Sequence, residues 1–177
     1  MSEADRSAWQ AELDKRACIE LIFLLARALD RCDEPLLRSL FHGDATDDHG
    51  YFKGTAAEFA DWVFPLLRTM ERTHHTISNV LVQVQGNRAV SESYFVAYHD
   101  LAAPDGAPLR MTAAGRYLDR FQRRDGEWKF THRGAVYDWN ASEPRTDKWD
   151  RAPGGLRDFG ERGTGDPLYA HLATLAG

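Results

Sequence analysis

His-His-Thr-Ile-Ser-Asn-Val-Leu-Val-Gln-Val-Gln, residues 74–85, decides the fold, because there the apolar period of the chain changes from that of a helix to that of a strand. Upstream, counting from Ala17 to Arg31 in steps of three and four collects Ile19, Ile22, Phe23, Ala26 and Asp30, the stripe of an amphipathic helix expected from about Ser7 or Trp9 to Arg31. Cys32-Asp33-Glu34-Pro35 restarts a short helix whose apolar face is Leu36, Leu37, Leu40 and Phe41. The acidic stretch from Gly43 to Tyr51 reads as a brief strand and loop. Gly54-Thr55 then opens a second amphipathic helix through Phe59, Trp62, Val63 and Leu66, in which Pro65 predicts a kink or break. Downstream, alternation predicts strands at His74–Gln85, Ala89–Asp100, Leu109–Arg123 and Glu127–Trp139, with turns at Gly86-Asn87, Pro104-Asp105-Gly106 and Arg124-Asp125-Gly126. Helices first and an antiparallel meander afterwards is the order of an α+β fold, with helices covering one face of a curved sheet. Residues 140–177, rich in Gly, Pro, Arg and Asp, read as a C-terminal wrap, with Asp166-Pro167 capping a last short helix through Leu175.

At 177 residues with 43% hydrophobic and 28% charged content, the whole of 1–177 is expected to form a single domain with one buried core. A net charge of -5 offers no basic footprint for nucleic acid, and Arg120, Arg123 and Arg124 cluster beside a turn where solvated charge is ordinary. The longest unbroken apolar run, Leu21 to Ala26, is far too short for a signal core or a membrane span. Cys18 and Cys32 are separated by fourteen residues of expected helix, roughly 21 Å, and cannot bridge one another. Together these features predict a cytoplasmic protein that engages neither membrane nor nucleic acid.

Two polar residues stand out against this background. Asp30 ends the apolar helix stripe and so is aimed at the core, and His75 opens the first strand of the meander. A core-facing carboxylate and an imidazole at a strand mouth are the elements of a proton-transfer pair. The segment His42 to His49 offers two imidazoles and three carboxylates, but its spacing matches no established zinc pattern, and no metal is expected. Tyr94, Tyr98, Tyr117, Trp128 and Phe130 occupy strand positions and are candidates for an aromatic wall or for plain core. There is no phosphate-cradling glycine loop and no nucleophile elbow around Ser39, Ser78, Ser91 or Ser93.

Three blocks in order resemble a known family. Ala-Arg-Ala-Leu-Asp-Arg-Cys-Asp (26–33), Thr-His-His-Thr-Ile-Ser-Asn-Val (73–80) and Gly-Arg-Tyr-Leu-Asp-Arg-Phe-Gln-Arg-Arg-Asp-Gly-Glu-Trp-Lys-Phe (115–130) look like the SnoaL-like domains of the nuclear transport factor cone fold. The resemblance spans roughly four-fifths of the chain. It implies a cone-shaped α+β barrel, with N-terminal helices on a curved, mixed but mainly antiparallel sheet, and a cavity for a small hydrophobic ligand. Members include scytalone dehydratase, bile-acid dehydratase and the dehydrochlorinase acting on hexachlorocyclohexane. In the last of these an Asp at the end of the first helix orients a His that removes a proton from the substrate. Asp30 matches that Asp and His75 that His, four residues before Asn79.

The same comparison sets Arg133 on a pocket-lining arginine and implies that the strand carrying His49 and Tyr51 crosses the cone mouth. Where related enzymes carry Tyr or Lys, five residues before the Asp, this chain has Leu25. The implied activity is a cofactor-independent lyase or isomerase, dehydratase- or dehydrohalogenase-like. The alternative, favoured by Leu25, is a non-catalytic ligand-binding or accessory subunit like the small subunits of ring-hydroxylating dioxygenases.

Strand alternation by itself puts His132 on the face of Trp128 and Phe130 and leaves Arg133 on the other, unless a bulge near Gly134 re-aims it, so either remains a pocket candidate. If Leu25 leaves an acid missing, Tyr51, Tyr98, His132 and Arg133 are the candidates to replace it. Val80, Val82 and Val84, assigned by alternation to the face opposite His75, predict a homo-oligomer, dimer ahead of trimer.

Overall fold

The computed structural model describes residues 2–151 and 157–175. The first helix, α1 (Glu3–Arg31), is followed by α2 (Glu34–Ser39), the strands β1 (Phe41–Asp48) and β2 (Lys53–Thr55), and α3 (Ala56–Thr69). Four long strands then run β3 (Arg72–Gln85), β4 (Arg88–Ala102), β5 (Pro108–Arg124) and β6 (Glu127–Pro144), and α4 (Pro167–Ala173) closes the described chain. The sheet order is β2-β1-β6-β5-β4-β3. All pairings are antiparallel except β1 with β6, which is parallel, so the sheet is mixed but mainly antiparallel. This is the α+β arrangement expected from the order of the elements, in the cone form that the resemblance implies.

The buried line of α1 is Asp14, Cys18, Ile22, Leu25 and Leu29, rotated from the stripe read off the sequence: Phe23, counted into that stripe, is exposed. The helix packs on β3, while α3 covers β1. Thr55 caps α3 by accepting from the Glu58 amide, and Glu58 returns a bond to the Thr55 amide. Pro65 does not break the helix, which runs unbroken from Ala56 to Thr69. The ring sits on the solvent side, where water can hydrate the carbonyl that loses its partner. Phe59, Phe64, Ile22, Leu37, Phe121 and Phe130 form the centre of the core between helices and sheet.

Besides a longer shift of register between Phe41 and Thr46 of β1 against β6, three single-residue bulges shape the sheet. In β3, the register with β4 slips between Ser78 and Leu81, and Asn79 there has φ of 47°. Asn is among the few side chains that tolerate this left-handed conformation. The slip turns Val80, Val82 and Val84 inward, where they pack against the core, and overturns their assignment to the outer face. In β6, Thr131 is the extra residue between Phe130 and His132. Because of it, Trp128, Phe130 and Arg133 all face inward, while His132 faces out. A second bulge at Asp138 brings the Val136 carbonyl so close to Gly115 that a β-carbon there would lie 2.1 Å from it. Only glycine fits at that position.

Strand β6 continues to Pro144, so the first residues of the expected wrap belong to the sheet. Asp166 caps α4 and accepts from Arg31 at 2.7 Å, and the Tyr169 hydroxyl donates to Asp33, tying the C-terminal segment to the end of α1. Residues 152–156 and 176–177 of the wrap lie outside the described residues. Among the described residues no helix is long and apolar enough to cross a membrane.

Candidate active site

The curvature of the sheet and the cover of α3 enclose a cavity of about 440 Å³, within the range typical of small-molecule sites. Its floor is the inward parity of β4 and β5: Phe95, Ala97 and His99, with Met111, Ala113 and Tyr117. Phe59, Val63 and Leu67 of α3 roof it, with Leu29 from α1. The exposed apolar side chains Tyr51, Trp62, Leu66, Tyr137 and Trp139 ring its entrance. Exposed apolar surface gathered at a cavity mouth marks a route for an apolar ligand.

Asp30 and His75 meet at one end of this cavity. The His75 ring nitrogen Nδ1 lies 2.7 Å from Asp30 Oδ1, and the His75 backbone amide donates to Asp30 Oδ2 at 2.8 Å. Both carboxylate oxygens are therefore occupied by a single residue, which fixes backbone and ring together. A carboxylate in the last turn of a helix faces the negative end of the dipole and, when buried, would be driven towards its neutral form. Burial does push the Asp30 carboxyl up, but the bonds and charge from His75 outweigh it and hold the carboxyl below its ordinary value. An ionised Asp30 accepting from Nδ1–H leaves Nε2 of His75 as a free base, and His75 lines the cavity.

His99 stands edge-on to His75, with ring centroids 5.8 Å apart. Burial and the neighbouring His75 depress its pKa to about 4, so it is neutral at physiological pH. Its Nδ1 is buried without a hydrogen-bond partner among the described residues. His99 was missed in the sequence, although strand alternation alone sets it with Phe95 and Ala97.

At the other end of the sheet, His49 also lines the cavity, stacked on Phe59 at 4.7 Å and tilted against Tyr117 at 5.9 Å. Its Nδ1 lies 2.5 Å from Oδ1 of the buried Asp47. The rest of the acidic segment disperses. His42 bonds the Gln122 carbonyl, Asp44 pairs with Arg124, and Asp48 with Lys53.

Four expected pocket residues require correction. Arg133 does face inward, by the bulge at Thr131 rather than one near Gly134, but it does not line the cavity. It lies beneath the floor, paired in fork geometry with Asp119 at 2.7 and 2.8 Å and stacked 4.1 Å from the Tyr117 ring. Burial works against its charge, yet Asp119 more than compensates and its pKa is raised, so the pair braces the floor as an ion pair. His132 lines a groove on the outer face, its Nδ1 bonded to Thr46 Oγ1 at 2.8 Å. Tyr98 points outward beside Arg110, and Tyr94 is likewise exposed, because the even positions of β4 face solvent. Leu25 is fully buried in the core and Leu29, one turn later, is the helix residue that reaches the cavity. Of the supposed aromatic wall only Tyr117 contributes, while Trp128 and Phe130 are core.

Comparison with solved structures places the fold. The Kfla4162 protein of Kribbella flavida superposes with a TM-score of 0.67 at 21% identity, covering 74% of this chain and 95% of its own. A hexachlorocyclohexane dehydrochlorinase of Novosphingobium barchaimii gives 0.65 at 20% identity, covering 86% and 100%. A Novosphingobium aromaticivorans protein provisionally named a scytalone dehydratase gives 0.61 at 21% identity, covering 82% and 96%. At these identities the likeness carries the fold alone. No curated protein gives a significant sequence match. Residues 10–134, well over half of the chain, match the SnoaL-like domain family, and the chain belongs to that family.

Proposed function

We propose that this protein is a cofactor-independent lyase or isomerase that removes a proton from carbon in a small hydrophobic molecule held in the cone cavity. The observation that carries this reading is the Asp30–His75 pair, with a part-buried carboxylate bonded to Nδ1 and the ring at the cavity wall. The dehydrochlorinase among the structural neighbours supports a lyase-type reaction. Imidazole is a modest base, so the carbon acid must be activated, for example by an adjacent carbonyl. His75 takes the proton, and Asp30 stabilises the imidazolium and keeps the tautomer. Arg133 and Asp119 act at one remove, by holding Tyr117 in the floor.

A second reading follows from Leu25, which is sealed in the core and offers no proton donor: a non-catalytic ligand-binding or accessory subunit. Screening small hydrophobic β-substituted ketones for enone formation separates the two. For a catalyst, His75→Ala abolishes turnover while apolar ligands still bind within about tenfold, because losing a general base costs 10²-fold or more in rate. A binder yields no elimination with any of the compounds. The free thiols Cys18 and Cys32 support a reducing, cytoplasmic setting, and the exposed outer sheet face supports assembly as a homo-oligomer.

A further inference from the structure

Asp47 and His49 repeat, at the opposite end of the sheet, the arrangement made by Asp30 and His75. Asp47 follows the inward parity of β1, and its carboxylate is buried, with Oδ1 on His49 Nδ1 and Oδ2 without a partner among the described residues. The turn after β1 holds the histidine in place: the His49 amide donates to the Phe52 carbonyl at 2.9 Å, and the His49 carbonyl accepts from the Tyr51 amide at 2.8 Å and from the Tyr137 hydroxyl at 3.3 Å. Phe59 of α3 is stacked on one side of the ring and Tyr117 of β5 lies near it. With Nδ1 engaged by the carboxylate, Nε2 is the nitrogen left to the cavity that His49 lines. β1 and β3 are separated by β6, β5 and β4, so the two imidazoles reach one cavity from opposite walls. A bond that merely pinned the turn would not need a buried carboxylate, since an amide side chain would serve without the cost of desolvating a charge.

We infer that Asp47 and His49 form a second proton-transfer pair, with His49 as the general acid that protonates the leaving group, and that the substrate is therefore a small apolar β-hydroxy carbonyl compound rather than a halide. This rests on His75 being the base. Halide departs without a proton, whereas hydroxide is a poor leaving group unless protonated as it goes, and a second acid is needed only in the latter case. In the step, Nε2 of His75 takes the proton on the carbon next to the carbonyl, and the C–H electron pair becomes the new C=C bond. The C–O bond breaks with its electrons on oxygen; His49, which enters the step as the imidazolium with Nδ1–H on Asp47, gives its Nε2 proton to that oxygen, and water leaves. His75 is left protonated and His49 neutral, and exchange with solvent through the mouth restores both. His49 supplies the donor that Leu25 cannot.

The test compares 4-hydroxy-4-phenylbutan-2-one with 4-chloro-4-phenylbutan-2-one, both followed by enone absorbance. His49→Gln should lower the rate on the hydroxy compound by 10²-fold or more and on the chloro compound by less than tenfold. Asp47→Asn should show the same split, and serves if His49→Gln does not fold. Equal losses on both compounds would make the pair structural, and no loss on either would remove it from the reaction. If His75→Ala retains the wild-type rate on the chloro compound, it is the base reading that fails, whatever His49 does.

Discussion

At the residue scale the account turns on which nitrogen of His75 carries the proton. Asp30→Asn keeps the shape but replaces one carboxylate oxygen with an NH2 group, which can satisfy Nδ1 only by donating to it. The ring then presents Nε2–H to the cavity and loses its base. Turnover should fall 10²-fold or more while ligand affinity changes by less than tenfold, a split readable in steady-state kinetics and binding titrations. His99 makes a separate claim about pH. Its folded pKa of about 4 lies below the ordinary 6.5, so the folded state resists the proton that the unfolded chain accepts. Stability is thus full above pH 6.5, is lost as pH falls from there to 4, and levels off below, by about 3 kcal/mol in all. His99→Gln should flatten denaturant midpoints across that window. Asp30, with its folded pKa depressed, acts lower: its contribution is present above the unfolded value of 3.8 and disappears as pH falls through the folded one. The meeting of Asp30 and His75 was legible through the family resemblance, which matches both residues to a pair; the residues alone place one at a helix end and the other at a strand mouth. Asp47 was not, since in an acidic turn-rich segment nothing local says which carboxylate faces in.

At the scale of elements, the bulges decide what faces the cavity, and they are where sequence reasoning went astray. Strict alternation sends His132 inward and Val80, Val82 and Val84 outward, and a single inserted residue in each strand reverses both. The only local signs were Asn79, in the left-handed region at φ 47°, and Gly115, opposite the bulge at Asp138. Asn79→Val should cost about 1–2 kcal/mol, because a β-branched side chain is poorly tolerated at that φ, whereas Asn79→Gly should be within about 0.5 kcal/mol of wild type. Gly115→Ala should cost about 1–3 kcal/mol through its collision with the Val136 carbonyl, lowering the melting temperature by several degrees. Equal stability of Asn79→Val and Asn79→Gly would mean that the strand can realign without the bulge. The boundaries of the helices were easier, because Thr55 with Glu58 and Asp33 with Pro35 announce their own caps.

At the scale of the molecule, the order of helices and strands sufficed for an α+β fold with helices on one face of a curved sheet, and the family resemblance supplied the cone. The outer face is less completely solved. Leu81, Val90, Tyr94 and Leu118 are exposed on β3, β4 and β5, and take the place of the three valines as the motive for self-association. Sedimentation at micromolar concentration should return a multiple of the 20.0 kDa chain, and Leu118→Lys should shift it towards monomer without loss of the fold. The cavity, the base and its orienter make one further joint claim, that proton removal needs neither a leaving group nor a cofactor. It is tested most directly with 4-phenylbutan-2-one in D2O, where NMR follows the uptake of deuterium beside the carbonyl. The wild-type protein is expected to accelerate this exchange at least 10²-fold more than His75→Ala does. Exchange at the wild-type rate in His75→Ala would contradict the assignment of His75 as the base.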